Sequence, residues 1–183
     1  MAQFFGKYRG TVINNVDPMM LGRLQVTVPS VSGAPTSWAM PCVPFAGPDQ
    51  GFVAIPPPGA NVWVEFESGD PDLPVWTGCF WGSGELPAEA QVGPPDQLLV
   101  LKRPGFLFAA DAATPNGLRL EISPPFASDQ LKLDMNNDGI VLTVNGSVTI
   151  KLTASDMQLT NGASTVDLSA ASVDINNGAL TVT

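Results

Sequence analysis

Between Leu131 and Val182 apolar and polar residues alternate along the chain. Leu131, Leu133 and Met135 are followed by Ile140, Leu142 and Val144, then by Val148, Ile150 and Leu152. Met157 with Leu159, Val166 with Leu168, Val173 with Ile175 and Leu180 with Val182 continue the series. A period of two predicts β-strands with one face turned inward. The groups recur about every eight residues, and Gly139, Gly146, Gly162 and Gly178 fall in the breaks.

Each of these strands has one thin aliphatic stripe and no aromatic filler. Nothing else in the stretch can cover the stripes, so they must be buried against copies of the same chain. The pattern predicts a needle over residues 131–183 that folds only on assembly. Three chains wind together, each stripe turned inward, in a closed prism whose backbone bonds run between chains. A single-chain solenoid is the alternative, but such coils use more residues per turn and larger stacking side chains. The residues assigned to the trimer core are Leu131, Leu133, Ile140, Leu142, Val144, Val148, Ile150, Leu152, Met157, Leu159, Val166, Leu168, Val173 and Ile175.

The front of the chain reads as short strands without helix signals. Lys7–Ile13 precedes the turn Asn15-Val16-Asp17-Pro18. Leu24, Val26 and Val28 alternate with polar neighbours, and Trp38–Val43 and Phe52–Ile55 are further runs. Asn61–Glu67 alternates cleanly, and Pro74–Gly82 closes the set. So many short strands over residues 1–82 predict a small closed barrel, which leaves no exposed sheet edge. Residues 83–130 read as a linker with short strands at Leu98–Lys102, Phe106–Ala109 and Leu118–Ile122.

Composition supports this division. All fourteen aromatic residues and all eighteen prolines precede residue 127. A domain with its own core therefore occupies the front, and something simpler the back. The net charge of −9 disfavours phosphate backbones and anionic lipid. Histidine is absent, which removes Ser-His-Asp and Cys-His catalysis and histidine metal sites. No cofactor is expected. No signal peptide opens the chain and no apolar run reaches membrane-helix length, so the protein is expected to be soluble when made.

Other signals have plain structural explanations. Asp134–Gly139 matches the first half of a calcium loop, but Asn145 stands where that loop needs Glu, so it is read as a strand-joining turn. Glu65 and Glu67, two apart on a predicted strand, are read as a solvated face rather than a catalytic pair. Trp38, Trp63, Trp76 and Trp81 could stack bases; lacking a basic groove, they are assigned to core or interface packing. Cys42 and Cys79 are read as small hydrophobes, although a fold that brought them together would let them pair.

The front segment resembles the oligosaccharide/oligonucleotide-binding (OB) domain of contractile-tail spike proteins. These include baseplate assembly protein V and the central spikes of myophages, and the valine-glycine-repeat spikes of type VI secretion and extracellular contractile injection systems. The resemblance is carried by Gly22–Val26 after Asn15–Pro18, by Trp38–Pro41, by Pro58–Phe66, and by Gly69-Asp70-Pro71, Pro74-Val75 and Gly78. Asn116–Leu120 and Asp138–Ile140 resemble the entry to the β-helix of such spikes, and Val144–Val148 one of its octads. Two features depart from the pattern: the His-x-His pair of a metal-binding apex is missing, and no lysozyme-like segment lies between barrel and needle.

The resemblance implies an all-β homotrimer: an N-terminal OB-fold barrel followed by an intertwined triple-stranded β-helix needle. It implies a non-enzymatic central spike, assembled in the bacterial cytoplasm and resident in the baseplate of a virion or phage-tail-like particle. Its partners would be two further copies of itself and the hub proteins at the end of the tail tube. It would meet the target outer envelope only on firing. A blunt end exposing Leu180, Val182 and Thr183 would be capped by a small tip protein like the proline-alanine-alanine-arginine repeat (PAAR) proteins. No nucleic-acid partner is expected; a nucleic-acid- or envelope-glycan-binding barrel is the alternative function.

Overall fold

The computed structural model describes residues 2–112 and 117–183. The chain divides into two compact units, Met1–Glu85 and Leu86–Thr183. The described residues form strands throughout, with only three short 3-10 turns.

The first unit is built on β1 (Tyr8–Asn14), β2 (Gln25–Val28), β3 (Ser32–Pro35), β4 (Met40–Pro41), β5 (Ala46–Gly47), β6 (Gln50–Gly51), β7 (Asn61–Phe66) and β8 (Pro74–Cys79). Its main sheet has the order β3-β2-β1-β7-β8-β4. Leu24, just before β2, bridges Ala39, just before β4. Their paired backbone bonds, 3.1 and 2.7 Å, join the sheet across its open side. Alternation decides what fills the interior. Val12, Leu24, Val26, Val28, Val62 and Val64 are fully buried, with Phe66 and Trp76 beside them. The Trp76 ring N–H donates to the Gly22 carbonyl at 3.1 Å, so this aromatic is buried without an unpaired donor.

The turn before β2 is braced by one carboxylate. Asp17 accepts the backbone N–H groups of Met19, Leu21 and Arg23 and a 2.6 Å ion pair from the Arg23 guanidinium. That guanidinium beside Asp17 holds its carboxyl well below the usual carboxylate range. Arg23 also lies over the Trp38 ring, and Arg9 over Trp63 and Phe80.

Three expectations for this unit change. Phe52–Ile55 is not a strand; prolines follow at 56–58, which cannot donate to a ladder, and Phe52 and Val53 are exposed. The local pairing is instead the two-residue hairpin of β5 and β6. Glu67 does not continue β7 beside Glu65, because a 3-10 turn begins there and Ser68 takes φ 53°. Cys42 and Cys79 are both free, exposed thiols, and partial desolvation of its sulfur pushes the Cys79 thiol up.

The second unit is one antiparallel sheet of ten strands. They are β9 (Leu98–Arg103), β10 (Phe106–Asp111), β11 (Gly117–Ile122), β12 (Leu131–Asn136), β13 (Gly139–Val144), β14 (Val148–Leu152), β15 (Asp156–Asn161), β16 (Ser164–Ser169), β17 (Val173–Ile175) and β18 (Leu180–Val182). Their order in the sheet is their order in the chain. Each strand from β10 to β17 pairs with its predecessor on one side and its successor on the other. The interior strands satisfy both edges within their own chain, leaving the sheet face to be covered. The strands between 98 and 122 are the first three rungs of this same ladder.

The two faces of the ladder are treated differently. At the base, Leu107 is buried on the face it shares with Val100, Ala109 and Glu121. Glu89, from the segment preceding β9, pairs with Lys102 on that face at 2.7 Å. Farther along, the same face carries Lys132, Thr143, Thr149, Thr160 and Thr165 in register, beside Asp134, Lys151, Gln158 and Asp167. Asp134 is held by Arg119 at 3.2 Å and Lys132 at 2.8 Å. The Asp134–Gly139 segment is the end of β12 and a hairpin turn, in which Asn136 Oδ1 accepts the Asp138 N–H at 2.8 Å.

Candidate functional site

The opposite face is apolar along most of the sheet. Residues directly across a ladder point to the same side, so the register assembles three rows. The central row runs Leu120, Leu133, Leu142, Ile150, Leu159, Val166, Ile175, Leu180. A second runs Leu118, Met135, Ile140, Leu152, Met157, Leu168, Val173, Val182. The third runs Phe106, Ile122, Leu131, Val144, Val148 and then Asn161 and Ser164.

All fourteen side chains assigned from the sequence to a shared core fall in these rows. The structure adds Met135 and, from the earlier rungs, Phe106, Phe108, Leu118, Leu120 and Ile122. The signal for these was the same alternation, but the break in composition near residue 127 and the proline-containing polar stretch after Gly82 made the segment look like a separate linker. Leu180 and Val182 lie at the far end of the rows, 55% and 60% exposed, and Thr183 follows them, exposed.

No row is buried within the chain. Leu142 is 45% exposed and Ile150 39%, whereas the interior valines of the barrel are closed to solvent. Leu107, on the other face, is the one buried large apolar residue of this unit among the described residues. Along the middle of the face the rows line an apolar trough of about 410 Å³, between Leu120 and Ile150. Contiguous apolar surface of this extent marks an interaction site. On the barrel a second exposed apolar surface, around a groove of about 730 Å³, gathers Met20, Phe45, Phe52 and Val53. Among the described residues no His, Cys, Asp or Glu group is arranged to hold a metal ion.

A small closed barrel followed by a ladder with one uncovered apolar face describes a protein built to self-associate. The chain belongs to the phage baseplate V family. Residues 8–81 match the type VI secretion system/phage-baseplate injector OB domain, and residues 112–181 match the phage baseplate V C-terminal trimerisation domain. No curated protein matches the chain. The chain is thus a spike component of a phage baseplate or type VI secretion system, and its C-terminal part self-associates as a trimer.

Proposed function

We propose that this protein is the non-enzymatic central spike of a contractile tail or injection-system baseplate. Three ladder faces close on one another, and the fourteen assigned residues from Leu131 to Ile175 form the needle core. Sheath contraction supplies the work; the trimer supplies stiffness and a narrow leading end that crosses the target envelope. The uncovered apolar face carries this reading, because a face with no row buried is stable in water only when copies cover it.

The barrel takes the contact with the hub proteins at the end of the tube, and its exposed groove supports that assignment. Leu180, Val182 and Thr183 take the PAAR-like tip protein. Assembly occurs in the cytoplasm of the producing cell, and the envelope is met only on firing. A nucleic-acid-binding barrel is disfavoured because Arg9 and Arg23 are already stacked on Trp63, Phe80 and Trp38, and Arg23 is paired with Asp17.

Native mass of the full chain tests this reading, together with images of particles carrying it. A trimer located at the baseplate centre is expected. A monomer with an ordered ladder, or a location elsewhere on the particle, refutes it.

A further inference from the structure

We infer that Asn161 is a site of spontaneous deamidation: the turn between β15 and β16 leaves its side-chain amide open to attack by the backbone nitrogen of Gly162, while the matching asparagines of the other described turns are guarded. The inference does not depend on the role proposed for the chain.

The chemistry follows from the dipeptide. A glycine after asparagine lets its backbone nitrogen reach the side-chain carbonyl carbon, because no Cβ stands in the way. The Gly162 nitrogen bonds to Asn161 Cγ, the Cγ–Nδ2 bond breaks, and Nδ2 leaves as ammonia with the proton of the Gly162 N–H. Water then opens the cyclic imide at either carbonyl, giving aspartate or isoaspartate. Nothing is oxidised or reduced. A turn opposes this in two ways: it ties down the asparagine amide, or it holds the proton on the glycine nitrogen.

The sequence contains Asn116-Gly117, Asn145-Gly146, Asn161-Gly162 and Asn177-Gly178; Asn116 lies outside the described residues. Asn145 is tied down. Its Oδ1 accepts the Gln130 N–H at 3.0 Å and its Nδ2 donates to Asp129 at 2.7 Å, so turning the amide toward Gly146 breaks both bonds. Asn177 is guarded from the other side. The Gly178 N–H donates to the Asp174 carboxylate at 2.7 Å, and a charged acceptor opposes loss of that proton. Asn176, beside it, fixes the same turn against β16: its N–H donates to the Thr165 carbonyl and its Oδ1 accepts the Thr165 N–H, both at 2.9 Å.

Asn161 has neither guard. It is exposed, and among the described residues its side chain makes no hydrogen bond. The Gly162 N–H has only a long contact, 3.4 Å, with the Ser147 carbonyl. Gly162 is itself exposed, with open space where a Cβ would stand. Asn161 ends β15, opposite Val148 on one side and Ser164 on the other. Conversion therefore places a new carboxylate at the end of an aliphatic row in each chain. Isoaspartate also lengthens the main chain by a methylene there, which disrupts the pairing with Ser164.

Tandem mass spectrometry of the full chain, digested after increasing times at neutral and mildly alkaline pH, tests this. Asn161 should convert at least about tenfold faster than Asn145 and Asn177, the margin that one hydrogen bond to a charged group imposes. Its rate should rise with pH, since the attacking nitrogen must lose its proton. Asn161→Gln should remove the early product. Asp174→Ala, checked by native mass for the wild-type oligomer, should speed Asn177 toward the rate of Asn161. Conversion of Asn145 or Asn177 as fast as Asn161 overturns the inference, as does an Asn161 that reacts only in the urea-denatured chain. An Asn177 rate unchanged by Asp174→Ala overturns the guard and the ranking built on it; should that variant fail to assemble, the three wild-type rates decide alone.

Discussion

Asn145 is bound to Gln130 through both its main chain and its side chain. Its N–H reaches the Gln130 carbonyl at 2.9 Å, and its Oδ1 accepts the Gln130 N–H at 3.0 Å. Its amide nitrogen donates to Asp129 at 2.7 Å. Asn145 holds φ 48°, a conformation that asparagine tolerates better than most residues. The turn after β13 is thereby tied to the chain entering β12, and Asn176 repeats the device on Thr165.

Asn145→Ala is expected to destabilise the needle by about 1–2 kcal/mol per chain, from the lost side-chain bonds and the unfavourable φ. Asn145→Gly should lose less, because glycine removes the backbone penalty. Thermal unfolding of the assembled protein, followed by circular dichroism, measures both; equal losses would show that the φ angle contributes nothing.

Gly139→Ala should be far more damaging. Gly139 has φ 116°, and a Cβ there would overlap the Leu152 carbonyl oxygen on the next rung. Backbone must shift to admit it, so the cost should reach about 3 kcal/mol or more. Limited proteolysis should then cut within 131–183 while sparing the barrel.

In the central row, Leu142 lies between Leu133 and Ile150. Leu142→Ala should cost about 2–5 kcal/mol per chain if the site is fully buried in the assembly. Dilution followed by mass measurement should show the variant dissociating at a higher concentration than the wild type. An unchanged dissociation point would remove Leu142 from the interface.

Acid should weaken the turn before β2. Asp17 is depressed in the folded barrel, while in the unfolded chain it titrates near about 3.9. Between those values the unfolded state binds more protons, so the Asp17 contribution is complete above the unfolded value and is lost as pH falls below it. Asp17→Asn should lower barrel stability at neutral pH and flatten the acid limb below about pH 4. Urea unfolding followed by the buried Trp76 reports both; parallel curves for the two proteins would contradict the assignment.

On the solvent face near the end of the ladder, Asp167 stands directly opposite Asp174. Like charges across a ladder repel, so Asp167→Lys should stabilise the needle by about 0.2–1 kcal/mol, with the gain shrinking in high salt. A melting series in salt distinguishes this from a packing effect.

The ladder was legible because alternation with a hairpin at each break determines both face and order. Once Leu142 lies opposite Ile150, every residue two steps away on either strand is assigned to the same side. Other features carried no such signal. β3, with Ser32-Gly33-Ala34-Pro35, has no alternation to read and exists only because β2 offers Thr27 and Val28 as partners. Phe52–Ile55 looked like a strand by composition, but the prolines after it and the missing partner decided otherwise. Which strand edges pair was also hidden, since an apolar stripe shows only that a face must be covered. Asn161 and Ser164 were visible as polar residues, but only the register shows that they end a row.

Because each rung of the ladder touches only the one before and the one after, reach and girth are independent quantities. Adding one hairpin lengthens the shaft by two strand spacings, about 10 Å, and leaves its walls as they were. A gene encoding such a ladder could therefore adapt to thicker or thinner barriers by duplication or loss of short in-frame segments, with no redesign of the parts at either end.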